Sequence, residues 1–273
     1  MEQLTIIKAL FLGILQGATE FLPVSSSGHL VITQGLMNIK LENGGLAAFD
    51  VCLHFGTLLA IIGVFWRDIL QIFAGLFARA PIGEAKEFRK LGIFIIIGTL
   101  PAVILGFAFK SFFERLFEAP LAAAFMLLVT GAILWSTRYS TDRQVGLREM
   151  RWWQSILVGL AQAVAIIPGI SRSGSTISGG LFLGLDRNFA AKFSFLLAIP
   201  AIGGAGLLEI ENVGNLASGL VLPVIIGTSA AMIVGFACIK WLLSIIRRGR
   251  FSWFAYYCWA AGLAAIVVFS LKG

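Results

Sequence analysis

A polar cassette occurs twice in this chain, each time inside apolar sequence of membrane grade, and nothing else in the sequence constrains the fold as strongly. The first copy reads Gly13-Ile-Leu-Gln16-Gly-Ala-Thr-Glu20-Phe-Leu-Pro23-Val-Ser25-Ser26-Ser27-Gly28-His29. The second reads Gly159-Leu-Ala-Gln162-Ala-Val-Ala-Ile-Ile-Pro168-Gly-Ile-Ser171-Arg172-Ser173-Gly174-Ser175-Thr176. At a constant offset of 146, Gly, Gln, Ser, Ser and Gly coincide at 13/159, 16/162, 25/171, 27/173 and 28/174. A carboxylate, a histidine, an arginine and clustered hydroxyls are expensive within a membrane span, so such groups point to a functional site.

The surroundings are those of a membrane protein: 58% of residues are apolar, only 13% are charged, and the mean hydropathy is +0.92. A soluble domain carries about 25% charged residues. The net charge of +7 lies in short loops between apolar runs rather than in one patch. That argues against a nucleic-acid partner and fits charges that set topology. Cys52, Cys238 and Cys258 lie in or beside apolar stretches, with no metal-ligand spacing and no disulfide framework. Glu2 at the start and the lack of a basic leader lead us to expect no removable signal peptide.

A span needs about 20 apolar residues. Suitable runs are 46–66, 91–109, 119–137, 188–208, 219–246 and 253–271. The apolar regions 4–38 and 153–184 are broken midway by the cassettes, leaving halves too short to cross. Each is expected to enter and leave on one side, with its irregular backbone satisfied by protein or a water-filled cavity. A single crossing by 1–38 is the alternative. The expected fold is an all-α polytopic membrane protein, one integral membrane domain over 1–273, with six transmembrane helices and two re-entrant helical hairpins. With the N-terminus outside, the loops 67–90, 138–152, 186–192 and 247–250 place 14 Lys and Arg in the cytoplasm against 5 outside, as the positive-inside rule requires. Glu209 and Glu211 then fall outside. Three crossings separate the hairpins, so the second copy (about 153–273) is inverted relative to the first (about 1–137). An inverted-topology repeat of this kind brings the two tips together near the midplane.

The second cassette reads as a phosphate-holding loop. Its glycines allow close backbone approach, a helix start offers free N–H groups, and Arg172 supplies a planar fork. Ser171, Ser173, Gly174 and Thr176 are its candidate phosphate contacts. The alternative is a Ser/Thr helix cap with Arg172 paired to an acid. In the first cassette Glu20 shares a helical face with Gln16 and suits either a base or a cation ligand, with Gln16 beside it. Ser26 is the candidate nucleophile, flanked by Ser25 and Ser27 as turn formers or donors, and it occupies the register of Arg172. His29 is the candidate proton shuttle. Asp50 and His54, four residues apart, read as a hydrogen-bonded pair lining the same cavity or as a structural polar pair between helices. Asp186–Arg187 and Glu114–Arg115 read as interfacial ion pairs, and Trp66, Trp135, Trp152, Trp153 and Trp253 as an aromatic belt. Phe193 and Phe195 line a lateral lipid opening or are ordinary lipid-facing packing residues.

The two cassettes resemble the signatures of the undecaprenyl-diphosphatase, or bacitracin-resistance protein, family. Gln16 and Glu20 through His29 match its first motif, and Pro168 through Thr176 its second; the similarity runs the length of the chain. The family's first motif admits Glu or Gln where this chain has Gln16. The resemblance implies hydrolysis of undecaprenyl diphosphate to the monophosphate and inorganic phosphate, at the outer side of the bacterial inner membrane. It also implies a divalent cation, Mg2+ or Ca2+, and a core of Glu20, Ser26 and Arg172 supported by His29, Gln16, Ser171 and Thr176. Membrane lipids are the remaining partners, and a homodimer is left open. Attack by Ser26 and attack by a metal-activated water both fit the motifs. An anion carrier or lipid flippase is the rival reading, since inverted repeats with a midplane arginine serve transport equally well.

Overall fold

The long apolar runs become long helices because in lipid every backbone N–H and C=O must be satisfied within its own segment. The computed structural model describes residues 4–39, 41, 44–79, 81–140, 144–208, 210–214 and 218–272. Glu2, Lys40, Arg143 and Glu209, all used in the charge reading, lie outside these described residues.

The described chain is all-helical. In order come α1 (Ile6–Phe21), α2 (Ser26–Leu36), α3 (Gly45–Val64), α4 (Trp66–Phe77), α5 (Glu84–Ala108), α6 (Lys110–Phe117), α7 (Pro120–Ser136), α8 (Trp152–Val164), α9 (Arg172–Phe182), α10 (Arg187–Leu208), α11 (Ile210–Gly214), α12 (Val221–Arg247) and α13 (Phe254–Lys272). Six helical stretches are long and apolar enough to cross a membrane: Gly45–Val64, Glu84–Ala108, Pro120–Tyr139, Arg187–Leu208, Val221–Arg247 and Phe251–Leu271. The chain is therefore read as a multi-pass membrane protein. Large apolar side chains such as Phe55, Ile104, Phe107 and Leu263 are exposed along these helices, a surface that only lipid solvates cheaply.

The six expected runs all appear, with shifted ends. Helix α5 begins at Glu84 rather than 91, because Glu84 and Glu87 in its first turn complement the helix dipole and extend it through polar sequence. Helices α4 and α6 were not expected; both are short, and each carries charged residues that broke the apolar reading. Phe193 and Phe195 are fully buried. Phe195 packs edge-on to Phe21 and against Phe65, with ring centroids 5.8 and 5.9 Å apart. They are core residues and line no lateral opening. Neither sequence-adjacent ion pair forms. Consecutive residues on a helix do not face one another, so Glu114 pairs with Lys110 and Asp186 accepts the Phe189 N–H.

Packing repeats between the two cassette regions. Helix α1 lies along α12 and helix α8 along α5. In each pair a cassette glycine meets a glycine carbonyl of its neighbour: a Cβ on Gly13 would run into the Gly227 oxygen, and one on Gly159 into the Gly98 oxygen. Backbones this close leave no room for a side chain, which is how small residues let membrane helices associate. The elements α1–α2 and α8–α9 are then each a helix, an irregular turn and a shorter helix packed back on the first.

Candidate active site

Each cassette turn ends in a helix capped by its own serine. The Ser25 hydroxyl accepts the Gly28 N–H at 3.3 Å and lies 3.3 Å from the Ser27 hydroxyl. The Ser171 hydroxyl accepts the Gly174 N–H at 3.0 Å and lies 3.3 Å from the Ser173 hydroxyl. These bonds satisfy orphan N–H groups of α2 and α9. Ser25 does so at φ 68°, a strained left-handed conformation for a non-glycine residue. Gly169, at φ 94°, sits so close to the Ala123 carbonyl that no side chain would fit. Thr130 of α7 ties that turn down, donating to the Gly169 carbonyl at 2.8 Å and accepting the Ser171 N–H at 3.0 Å.

The caps bring the two turns together. Gly28 lies against the Gly169 backbone, Gly174 approaches Pro23, and the Ser173 hydroxyl donates to the Leu22 carbonyl at 3.3 Å. At this junction the Glu20 carboxylate, 7% exposed, gathers three side chains. Arg172 Nη2 donates to Oε1 at 2.7 Å. Ser26 Oγ donates to Oε2 at 2.5 Å, and Gln16 Nε2 to the same oxygen at 3.1 Å. The acid that pairs with Arg172 thus comes from the opposite cassette, 152 residues away. An unpaired charge this deep would be strongly destabilising, so the pair also fixes how the turns meet.

The remaining candidates stand one step back from this group. Thr176 Oγ1 donates to the Arg172 carbonyl at 2.7 Å and lies 2.6 Å from the Ser194 hydroxyl. The Ser194 carbonyl in turn accepts Arg172 Nη1 at 3.4 Å. The guanidinium is therefore aimed from α9 and α10 together. His29 does not reach Glu20 or Ser26. Its Nδ1 bonds the Ser25 carbonyl at 2.8 Å, which can only accept, so Nδ1 carries the proton. Nε2 then accepts the Tyr257 hydroxyl at 2.9 Å, with the two rings stacked.

Sequence reasoning gave no role to Ser194 or Tyr257, and it read His54 as the partner of Asp50. The side chains of Asp50 and His54 do not pair. His54 Nδ1 donates to the Asp50 carbonyl at 2.8 Å, while Asp50 Oδ1 accepts from Gln34 at 2.7 Å. That leaves His54 Nε2 facing Glu20 Oε2 at 3.7 Å, with its side chain 30% exposed. The helical spacing of Asp50 and His54 was a signal, but it pointed to the wrong partner. A serine and a tyrosine within apolar helices gave no signal at all.

Residues 9–264 match the model of the family described as bacitracin resistance protein BacA. This chain belongs to that family. Among BacA relatives, an undecaprenyl-diphosphatase of Desulfatibacillum aliphaticivorans is 44% identical over 272 residues, covering 96% of this chain and 98% of the relative. One of Halothermothrix orenii is 45% identical over 267 residues, with the same two coverages. One of Methanobrevibacter smithii is 41% identical over 270 residues, covering 94% and 95%. The BacA match spans both cassettes and every residue around Glu20 described above.

Proposed function

We propose that this protein hydrolyses undecaprenyl diphosphate to undecaprenyl phosphate and inorganic phosphate, and through this confers bacitracin resistance. The relatives' name supplies the substrate. The observation that carries the chemistry is the convergence of a hydroxyl, a carboxylate and a guanidinium from two distant cassettes on one buried point.

Phosphoryl transfer needs positioning and charge neutralisation more than covalent chemistry from the protein. Ser26 Oγ already donates its proton to Glu20, so Glu20 is placed to take that proton as Oγ attacks the terminal phosphorus. A new Oγ–P bond forms and the bond from phosphorus to the bridging oxygen breaks. The bridging oxygen leaves on the polyprenyl monophosphate. Water then attacks the phosphoserine, inorganic phosphate departs, and Ser26 regains a proton. Arg172 turns from Glu20 toward the equatorial oxygens, its planar fork matching two of them. In this reading His29 holds the strained Ser25 turn through the Ser25 carbonyl, and His54 stands where a proton can pass between Glu20 and water.

The site chemistry fits a divalent cation held jointly with the substrate. Gln16 Oε1 is a buried oxygen without a partner, on the side chain that bonds Glu20. No group of three or more His, Cys, Asp or Glu gathers among the described residues. Glu20 and Gln16 are the residues that would hold such a cation, since both offer the hard oxygen donors it prefers. When bound, the ion would neutralise charge on the diphosphate.

Helix lengths support the re-entrant reading. Helices α1 and α2, with 16 and 11 residues, span about 24 and 17 Å against a hydrocarbon core of about 30 Å. The crossed packing of α1 on α12 and α8 on α5 supports an inverted repeat. Together with the charge distribution, this supports a site that opens on the outer side of the bacterial inner membrane. The test is phosphate release from a polyprenyl diphosphate by the purified protein, with and without EDTA, for wild type, Ser26→Ala and Arg172→Ala. Metal-dependent release abolished in both variants is expected; no release from folded wild-type protein overturns the proposal.

A further inference from the structure

At the end of the molecule where Arg138, Gln144, Arg187 and Arg248 come together, two cavities of about 380 and 320 Å³ adjoin, sharing Arg187 and Gly249 in their linings. Arg247 and Arg248 line the first and Arg138 the second. None of these four arginines pairs with a carboxylate among the described residues. Asp186, which also lines the first cavity, is occupied in capping α10 through the Phe189 N–H.

Two features show this to be a shaped cleft and not a loose collection of topology charges. Gly249 adopts φ 69°, and a Cβ there would lie 2.9 Å from Arg187 Nη1. The positive φ calls for glycine in the turn after α12, and the Arg187 guanidinium packs against that turn. Arg138 is fixed as well, stacked 3.5 Å from the Trp135 ring and bonded through Nε to the Ser252 hydroxyl at 3.5 Å. By contrast, Arg148 at the same end of the molecule is spent on Glu87 at 2.6 Å.

Depth identifies the ligand. The cleft lies where the stretches ending at Tyr139 and Arg247 and those starting at Arg187 and Phe251 reach their limits. Trp253, exposed beside it, marks the headgroup level. We propose that this cleft binds the phosphate of an anionic membrane phospholipid, with Arg187 at its centre and Arg138, Arg247 and Arg248 around it. Basic pockets between helix ends on the cytoplasmic side are suited to such headgroups. The site is separate from the Glu20 centre and stands whether or not the hydrolase reading does.

The test is native mass spectrometry of the full-length detergent-solubilised protein with equimolar phosphatidylglycerol and phosphatidylcholine as probes. Wild type is expected to retain phosphatidylglycerol preferentially, and Arg187→Ala/Arg248→Ala to lose about tenfold or more of that preference. Lys86→Ala/Arg148→Ala, which removes equal charge outside the cleft, and Ser26→Ala are expected to keep it. An unchanged melting temperature and a monodisperse elution profile show that the Arg187→Ala/Arg248→Ala variant is folded; if either is lost, the Arg187→Gln and Arg248→Gln single variants take its place, each expected to lower the preference. Equal retention of both lipids by wild type, or an equal loss in the Lys86/Arg148 control, overturns the proposal. Displacement of the lipid by excess inorganic phosphate reassigns the cleft to a free anion and overturns it too.

Discussion

At the scale of single residues the site turns on Glu20, which holds a hydroxyl, a guanidinium and an amide at once. Glu20→Gln keeps the shape and removes the base, so kcat is expected to fall by about 10²–10⁴-fold. Single-turnover phosphate release measures this, and a loss confined to KM would contradict the assigned role. The pairing with Arg172 makes a second prediction, about stability. Arg172→Ala leaves a buried carboxylate alone, at a cost of about 3–5 kcal/mol. Adding Glu20→Gln removes the stranded charge, so the double variant is expected to melt above Arg172→Ala alone; thermal unfolding in detergent compares them. His54 supplies a third. With its Nε2 turned toward Glu20 at 3.7 Å, His54→Ala is expected to lower kcat with little change in KM, in the same release assay. Glu20, Ser26 and Arg172 were legible in the sequence because charged and nucleophilic groups are costly in lipid and stand out against apolar neighbours. His29 stood out for the same reason, but the geometry gives it to Ser25 and Tyr257. His54 was misread because its four-residue spacing from Asp50 offered a nearer partner than Glu20, which the sequence places 34 positions away.

At the scale of elements, hydropathy located the six long helices and the two interruptions, since an apolar run of span length has few other uses. Their ends were less legible. Polar first turns extend α5, and the amphipathic α4 and α6 lack the continuous apolar signal by which the rest were read. The crossed packing of the cassette helices was not legible either, because it depends on which glycines meet. Gly13 against Gly227 and Gly159 against Gly98 hold backbone to backbone. Gly159→Ala is therefore expected to push α8 away from α5 and destabilise the fold by about 1–3 kcal/mol through overpacking. Gly204, which has nothing within reach of an added Cβ, should accept alanine without loss. Thermal melting of the two variants compares them directly, and equal melting temperatures would remove the close contact from the account.

At the scale of the whole molecule, the proposed topology inverts the cassettes by parity: two re-entrant hairpins separated by three crossings would enter from opposite sides. On that proposal both turns reach the same depth from opposite directions, which would account for a serine-bearing turn and an arginine-bearing turn sharing one carboxylate. Four exposed polar positions test this in a background lacking Cys52, Cys238 and Cys258. Thr5 and Asn38 flank the first hairpin, and Arg151 and Asn188 flank the second. A membrane-impermeant maleimide added to intact cells is expected to label cysteines at 5 and 38, and to reach those at 151 and 188 only after permeabilisation. Labelling of 5 and 38 from opposite sides would make α1–α2 a crossing element and cancel the parity that inverts the second copy. In that case the meeting of Glu20 and Arg172 would need a different explanation, one in which a single turn is carried across the bilayer to the other.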